Sequence, residues 1–468
     1  ANGISSAWYE AQLEASQSVP RHVWLGRMSA ARWSHQTRMD LSRERLCEAL
    51  RDKCVDFLEA QGGEPLAWAG RWDLGEQVWA LPVDTRISKN ELYNAGVFMG
   101  VDAASVLAVD ALDLRPGHAA LDLCCAPGAK LSIMADRLAH EGALVGVDAC
   151  GERSTACAGL ARRRRLGAAG QQIHRSPPWL SKVRNSKADN NNPIAIAAQA
   201  VRRQNQLQNS TQSQNQAQGI HVQAVEEEKV QETPTWLFQL RCQDGTKKVG
   251  SEGYIVWDSA ADEVMYDLRA SRQRGMEIEL DDVMSVFVQK PRPRLHARLR
   301  SRVEALRADV VLPTQFDRVL VDAQCSHEGS VRHVLKHLIA EERGNDNHPS
   351  SWSPQVLDHL YGEWLEKADV LEDLQRKLIL NGFDSLRPGG RMVYSTCSFA
   401  EAQNEAIVEY LLRERPDAEC VPVGFDVPGR QSKRLPSAWI MDPLTSQTSG
   451  LFLVAIVKKE QDSLDAHL

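Results

Sequence analysis

The sequence of 468 residues lacks three patterns that would assign it to common classes of protein. It has no apolar run of about 18 residues, so it predicts no membrane-spanning helix. Its ten cysteines include no C-x-x-C pair, which argues against a cysteine-rich zinc site, and we assign no metal ligands. It also has no G-x-G-x-x-G fingerprint, which disfavours an NAD-dependent enzyme, although strand spacing alone allows one.

The cysteines are scattered, and the N-terminus has no apolar signal-peptide core. Both features predict a reducing compartment, with the mitochondrial matrix, the nucleus and the cytoplasm left open. The net charge of -7 does not favour a nucleic-acid binder, yet local basic runs matter more than the total. Two such runs, at 162–165 and 291–300, could contact phosphates or could equally line solvated surfaces.

The chain changes character several times along its length. The apolar spacing in residues 1–92 predicts a helical N-terminal region. Its tryptophans could pack a small domain, stack on the bases of an RNA or contact a partner. Strands alternate with helices over 93–180, which predicts a parallel α/β sheet. Residues 181–310 are predicted to be an insertion, since an Asn/Gln-rich tract within them cannot form a core. The sheet resumes over 311–468.

An apolar strand at Ala119–Leu123 runs into a tight turn, D-L-C-C-A-P-G-A-K, at Asp122–Lys130. Small residues before a helix N-terminus let a ligand approach the backbone closely. The next strand ends at Asp148, and an acid in that place can accept two ribose hydroxyls. The pattern therefore predicts a nucleotide or S-adenosylmethionine site, with an ordinary strand–helix turn as the alternative.

Two cysteines, Cys325 and Cys397, each follow a strand-like segment directly. Ligands and reactive groups gather at the carboxyl ends of strands in such sheets, and a thiolate is a strong nucleophile. Attack of a thiolate on carbon 6 of a pyrimidine would make carbon 5 able to accept a methyl group. Such a reaction needs a nucleophile, a proton-transfer group and an acid for the base edge, and Cys397, Cys325 and Asp322 fit these needs.

The chain resembles the Sun (Fmu) family of RNA cytosine-5 methyltransferases over 93–166 and 316–459. The family's cofactor loop D-x-C-A-A-P-G-G-K is similar to Asp122–Lys130, and its D-A-P-C motif is similar to Asp322–Cys325. Its signature N-G-F-x-x-L-x-P-G-G-x-x-V-Y-S-T-C-S matches Asn381–Ser398. The resemblance implies an α/β fold, a Rossmann-like class I methyltransferase with a mixed, mainly parallel seven-stranded sheet.

The resemblance also implies roles for individual residues. Cys397 would attack carbon 6, Cys325 would assist proton removal and product release, and Asp322 would contact the cytosine and close the cofactor pocket. The substrate would be RNA, either rRNA or tRNA, and a ribosomal subunit precursor or a protein partner could supply specificity. The residues implied to bind S-adenosylmethionine are Asp122, Cys124, Cys125, Ala126, Pro127, Gly128, Ala129, Lys130, Asp148, Arg153 and Asp322.

The chain departs from the family pattern at three places. Gln324 stands where the family usually has Pro, and Ala129 stands where it usually has Gly. The family usually has an acid after its third strand that reads the adenine amino group. The segment Gln172–Arg175, taken as that strand, is followed by no acid. These departures keep open a second function, a catalytically weak or inactive member that acts as an RNA-binding ribosome assembly factor.

Overall fold

The structure is a computed structural model, and it describes a large part of the chain. No helix in this part is long and apolar enough to cross a membrane. The predicted Asn/Gln-rich tract and the basic run at 291–300 lie outside the described residues. The described residues are 5–26, 51–69, 77–94, 96–164, 166, 236–251, 254–258, 312–330 and 354–460.

The N-terminal region contains a sheet as well as helices. Its elements are α1 (Ser6–Ser16), β1 (Arg21–Leu25), a helix over 51–60, β2 (Glu64–Pro65), β3 (Gln77–Leu81), a 3-10 turn (Ile87–Lys89), α2 (Glu91–Asn94) and β4 (Phe98–Gly100). The four strands form an antiparallel sheet in the order β2-β3-β1-β4.

The prediction of a helical N-terminal region is therefore wrong in part. Strands β1 and β3 pair although about 50 residues separate them, and local helix periodicity gives no sign of such pairing. Strand β4 lies beyond the predicted boundary at residue 92, yet it pairs with β1. Trp79 of β3 is 3% exposed, so this tryptophan packs the domain rather than stacking on a base.

A ten-stranded sheet forms the centre of the molecule. Its strands are β5 (Ala119–Asp122), β6 (Gly142–Asp148), β7 (Trp236–Cys242), β8 (Tyr254–Asp258), β9 (Phe316–Asp322), β10 (Leu386–Thr396), β11 (Ala418–Val421), β12 (Arg430–Gln431), β13 (Trp439–Met441) and β14 (Leu451–Lys458). The order is β12-β13-β14-β10-β9-β5-β6-β7-β8, and β11 pairs with β14.

The five central strands, β10, β9, β5, β6 and β7, are parallel to one another. The strands at both sides are antiparallel to their neighbours. The predicted α/β class with a mixed sheet is confirmed. The sheet has ten strands rather than seven, because the short strands β11, β12 and β13 extend the side that begins at β14.

Helices cover both faces of this sheet. Neighbouring residues of a strand point to opposite faces, so each central strand contributes side chains to two cores. Leu320 of β9 lies in one core cluster, and Val321 lies in another. The helices are α3 (Ala103–Asp110), α4 (Ala129–Arg137), α5 (Gly151–Arg164), α6 (Pro354–Asp384), a 3-10 turn (Glu401–Gln403), α7 (Glu405–Glu414) and α8 (Pro443–Ser446). The first cluster contains residues of α3, α4 and α5, and the second contains residues of α6 and α7.

Strand β7 corrects the predicted extent of the insertion. It pairs in parallel with β6 along its whole length, with Cys242 opposite Asp148. The predicted insertion at 181–310 therefore contributes two strands, β7 and β8, to the main sheet. The segment taken as the third strand, 172–175, lies outside the described residues.

A buried carboxylate, Asp136, joins the main domain to the N-terminal sheet. Arg164, at the end of α5, lies 2.7 Å from Asp136 of α4, and their side chains are 0% and 1% exposed. The indole of Trp24 in β1 donates to the same carboxylate at 2.9 Å. Arg164 thus has a structural contact, so the basic run at 162–165 is not wholly a surface for RNA.

Candidate active site

The two predicted thiols meet at the carboxyl ends of adjacent strands. Strands β9 and β10 run parallel in a register that places Asp322 opposite Ser395. Cys325 comes three residues after Asp322, and Cys397 comes two residues after Ser395. The sulfur atoms of these two cysteines lie 3.2 Å apart. Cys325 is buried, whereas Cys397 is half-buried. The sequence predicted both residues for one site, and the structure places them in contact.

A buried carboxylate joins the two loops that carry these thiols. Glu328 is 2% exposed and accepts hydrogen bonds from the hydroxyls of Ser326 and Ser398. It also accepts from the backbone N–H of Phe399 at 2.8 Å. Ser326 and Ser398 each follow one of the thiols, so Glu328 fixes the two loops relative to each other. Sequence reasoning missed Glu328; the serine beside each cysteine was the available signal.

Close backbone contact also holds the loops together. The N–H of Gly329 donates to the carbonyl of Cys397 at 2.8 Å. A Cβ atom on Gly329 would lie 2.3 Å from that oxygen, so only glycine fits here. Helix α1 packs on the outside, where the Tyr9 hydroxyl donates to the carbonyl of Glu328 at 2.9 Å. The N-terminal region therefore supports the thiol site directly.

A histidine that the sequence did not single out completes the thiol site. The Nδ1 atom of His327 lies 3.1 Å from the sulfur of Cys397 and 3.8 Å from that of Cys325. A hydrogen bond with Cys325, followed by bonds with His327 and Ser330, lowers the pKa of Cys397 well below its ordinary value. Burial first, and then the bond with Cys397, raises the pKa of Cys325. The charge of the pair therefore belongs on Cys397.

The donor atoms of Cys325, His327 and Cys397 all lie within 4.8 Å of one another, a spread that a metal ion could bridge. Tetrahedral Zn²⁺ with bonds of about 2.3 Å to sulfur would hold two thiolates about 3.8 Å apart. The sulfur atoms are closer than that, at 3.2 Å. The geometry is that of a hydrogen-bonded thiol pair rather than a preformed zinc site.

The third predicted catalytic residue, Asp322, connects the thiol loops to the cofactor turn. Its Oδ1 atom accepts from the hydroxyl of Ser395 at 2.7 Å. Its Oδ2 atom pairs with the ammonium of Lys130 at 2.8 Å. Burial lowers the pKa of Lys130, but the attraction of Asp322 outweighs it and the pKa is raised. Lys130 is therefore a fixed cation between the two parts of the site.

The predicted cofactor turn is held by Asp148 at the end of β6. One oxygen of Asp148 accepts from the N–H of Ala126 at 3.2 Å, and the other accepts from Cys150 at 3.0 Å. The guanidinium of Arg153 donates to the carbonyl of Ala126 at 2.6 Å. Pro127 follows through a cis peptide bond. Asp148 thus positions the turn, a role that the sequence-based prediction of a ribose contact did not include.

Helix α4 begins at Ala129, and the preceding Gly128 has a φ of 104°. A Cβ atom there would lie 2.7 Å from the sulfur of Cys157. Within the turn, Cys125 is buried and donates its N–H to Val147 at 2.9 Å. The turn is therefore packed tightly on α5 and β6, with its backbone at the end of the sheet.

Asp122, at the end of β5, is the most perturbed acid in the described residues. It is 1% exposed, and its Oδ1 atom accepts from the N–H of Cys124 at 3.3 Å. Its Oδ2 atom has no hydrogen-bond partner. Burial, reinforced by the charge of Asp322, raises the pKa of Asp122 to about 8. A buried carboxylate with a vacant oxygen suits a cationic or hydrogen-donating ligand.

An acid does follow the third parallel strand. Asp244 comes two residues after β7, in a loop whose Gln243 donates its N–H to the carbonyl of Asp148 at 3.0 Å. Asn381 of α6 donates to the carbonyl of Gly245 at 2.7 Å and holds this loop at the same edge of the sheet. The prediction that no acid follows this strand is wrong, because the parallel strand next to β6 is 236–242, which lies within the predicted insertion.

Comparison with known proteins gives a consistent result. The family model described as 16S rRNA methyltransferase RsmB/F matches residues 366–457, which contain β10 and Cys397. The ribosomal RNA small subunit methyltransferase F of Escherichia fergusonii is 38% identical over 119 residues. The resemblance to the Sun family is confirmed. The matched region covers 25% of this chain and 20% of that relative, so the chain spans about a fifth of the relative's length.

Solved structures extend the comparison to the fold. The crystal structure of PH0851 aligns with a TM-score of 0.51 and 14% identity, covering 98% of this chain and 64% of that one. The crystal structure of NSun6 from Pyrococcus horikoshii with SFG aligns with a TM-score of 0.49 and 12% identity, over 97% of this chain and 96% of that one. The first alignment shows that this chain shares its fold with that protein over most of its length.

Proposed function

We propose that the protein transfers a methyl group from S-adenosylmethionine to carbon 5 of a cytosine in rRNA or tRNA through a covalent cysteine adduct. The observation that carries this proposal is the pair of thiols 3.2 Å apart, with the negative charge favoured on Cys397. This pair lies next to Asp322, which is bound to Lys130 of the cofactor turn.

The residues at the turn fit the cofactor. S-adenosylmethionine carries a sulfonium and an ammonium group, and it supplies an activated methyl group when bound. The Oδ2 atom of Asp122, which has no hydrogen-bond partner, would accept from the ammonium. Asp148 would contact the ribose, and Asp244 would read the adenine amino group as the family acid does. Lys130 and Arg153 would keep the turn in place.

The electrostatics of the thiol pair support a division of labour. The thiolate of Cys397 forms a bond to carbon 6, which makes carbon 5 nucleophilic for the incoming methyl group. Bond formation removes the negative charge of Cys397, and that charge is one cause of the raised pKa of Cys325. Cys325 then gives up its proton to solvent more readily, and the resulting thiolate can accept the proton on carbon 5 once the methyl group is in place. Loss of that proton breaks the bond to Cys397 and releases the methylated base.

The alternative, a non-catalytic assembly factor, rested on the missing third-strand acid. Asp244 now occupies the place after that strand, so the observation that favoured an inactive protein no longer stands. Both thiols and the cofactor turn favour the enzyme.

The proposal is tested by incubating the protein with S-adenosylmethionine and unmodified transcripts of small-subunit rRNA and of tRNA. Mass spectrometry of digested RNA should detect 5-methylcytidine, and calorimetry should detect cofactor binding. A Cys397→Ala variant should lose methylation and keep cofactor binding, whereas Cys150→Ala, which changes an exposed thiol, should keep both. No cofactor binding by the unmodified protein would favour the assembly factor.

A further inference from the structure

His327 adopts a backbone conformation that residues other than glycine seldom take, although histidine takes it more often than most. Its φ is 63°, in the left-handed region where a residue with a Cβ atom is strained. Such strain persists only where the surrounding structure enforces it, and it is concentrated at functional sites. The strain therefore directs attention to what the imidazole does.

Both neighbours of His327 are anchored. The N–H of Ser326 donates to the side chain of Gln403 at 3.0 Å, and Glu328 is the buried carboxylate that joins the two loops. The N–H of Ser330 donates to the carbonyl of His327 at 2.9 Å and closes the turn. These contacts fix the backbone on each side of His327, so the imidazole is held against Cys397 at 3.1 Å.

We propose that His327 is the proton acceptor of Cys397, so that the two form a catalytic cysteine–histidine pair. The proton moves from the sulfur of Cys397 to Nδ1 of His327, which yields a thiolate and an imidazolium before any RNA is bound. This inference deepens the proposed methyl transfer, because it names the group that activates the nucleophile. It is carried by the distance and by the strained, anchored backbone.

The surrounding charges favour this state. The hydrogen bond with Cys397 raises the pKa of His327, while Arg153 opposes that shift and Glu328 supports it. The ammonium of Lys130 faces the thiolate from α4, and Cys325 donates to it from the loop after β9. The ion pair exists in the window of pH between the lowered pKa of Cys397 and the raised pKa of His327. Above that window His327 loses its proton, and below it Cys397 is protonated.

The test measures Cys397 directly, without RNA or cofactor. The rate at which iodoacetamide alkylates Cys397 is followed by mass spectrometry between pH 5.5 and 9. An isolated thiol with a pKa of about 8.5 is only about 1% thiolate at pH 6.5, so a preformed thiolate reacts far faster. The unmodified protein should react at a nearly constant rate down to below pH 7. In His327→Gly, the alkylation rate at pH 6.5 should fall about tenfold or more. Some reactivity should remain, because Cys325 still stabilises part of the thiolate.

Glycine is the preferred replacement because it accepts a positive φ without strain. The variant should therefore fold, with a melting temperature equal to or above that of the parent. His327→Asn provides a second variant, since asparagine tolerates this conformation and forms hydrogen bonds but carries no charge. It should behave like the glycine variant. His118→Ala removes a histidine outside the site, and it should leave the alkylation profile unchanged.

An unchanged pH profile in folded His327→Gly and His327→Asn would overturn the pair and leave Cys325 as the source of the thiolate. The outcome is separable from that of the proposed function. A shifted profile in a protein that methylates no RNA would retain the pair and reject the methyltransferase. Methylation of RNA together with an unshifted alkylation profile would retain the methyltransferase and reject the pair.

Discussion

The buried carboxylate of Glu328 allows a quantitative prediction. In Glu328→Gln the amide nitrogen must take the place of Oε2, because at Oε1 it would face the N–H of Phe399, which is also a donor. The hydroxyl of Ser326 must then accept instead of donating. The two bonds that remain, from Ser398 and Phe399, lose the assistance of a negative charge.

A hydrogen bond to a charged group contributes about 1.5–3 kcal/mol and a neutral one about 0.5–1.5 kcal/mol. Three weakened bonds therefore cost about 3 kcal/mol, and the smaller cost of burying a neutral amide offsets part of this. We expect a net loss of about 2 kcal/mol. At roughly 2–4 °C per kcal/mol, the melting temperature should fall by about 4–8 °C.

Differential scanning fluorimetry and the rate of Cys397 alkylation would check the prediction. Glu409→Gln is the matched control, since Glu409 is paired with Arg434 and its side chain is 30% exposed. Exposed ion pairs contribute about 0–1 kcal/mol to stability, so the melting temperature of this control should hardly change. If Glu328→Gln melted like Glu409→Gln, with unchanged alkylation, Glu328 would not hold the two thiol loops.

Three further predictions concern other parts of the molecule. Asp136→Asn leaves Arg164 buried without its carboxylate, so chemical denaturation should show a loss of about 3–5 kcal/mol; a loss below 1 kcal/mol would contradict the role of this pair. The pKa of Asp122 is raised to about 8, so this acid is neutral below that value, and a cationic ligand favours its ionised form. Calorimetry should therefore show cofactor affinity rising from pH 6 to pH 7.5, and Asp122→Asn should flatten this dependence. Asp244→Ala should weaken cofactor binding about tenfold or more, the expected loss of a charge-assisted hydrogen bond, and leave the melting temperature within a few degrees; unchanged affinity would mean that Asp244 does not contact the cofactor.

The predicted site residues that the structure brings together are those marked by local patterns. Cys397 directly follows β10 and Cys325 comes three residues after the end of β9. Parallel strands end at one edge, so the proximity of the two thiols follows from topology. The turn from Asp122 to Lys130 is likewise a local strand–helix connection, and the structure folds it as one. Motif and periodicity carry this kind of information.

The features that the sequence missed depend on pairing between distant segments. About 70 residues separate α5 from β7, so Trp236–Cys242 looked like part of an insertion and Asp244 went unnoticed. The N-terminal sheet pairs strands about 50 residues apart. His327 shows its importance only through a backbone angle and a distance across two loops, neither of which any local sequence pattern encodes.

The central claim, that two thiols share the chemistry, is tested most directly by trapping the protein on RNA. Each variant is incubated with S-adenosylmethionine and the unmodified transcripts, then run on a denaturing gel. Cys325→Ala should leave a covalent protein–RNA band, because Cys397 attacks the base and no group releases it. Cys397→Ala should give neither a band nor 5-methylcytidine. A band with Cys397→Ala would mean that the roles are reversed, and no band with either variant, in protein that binds the cofactor, would contradict the covalent mechanism.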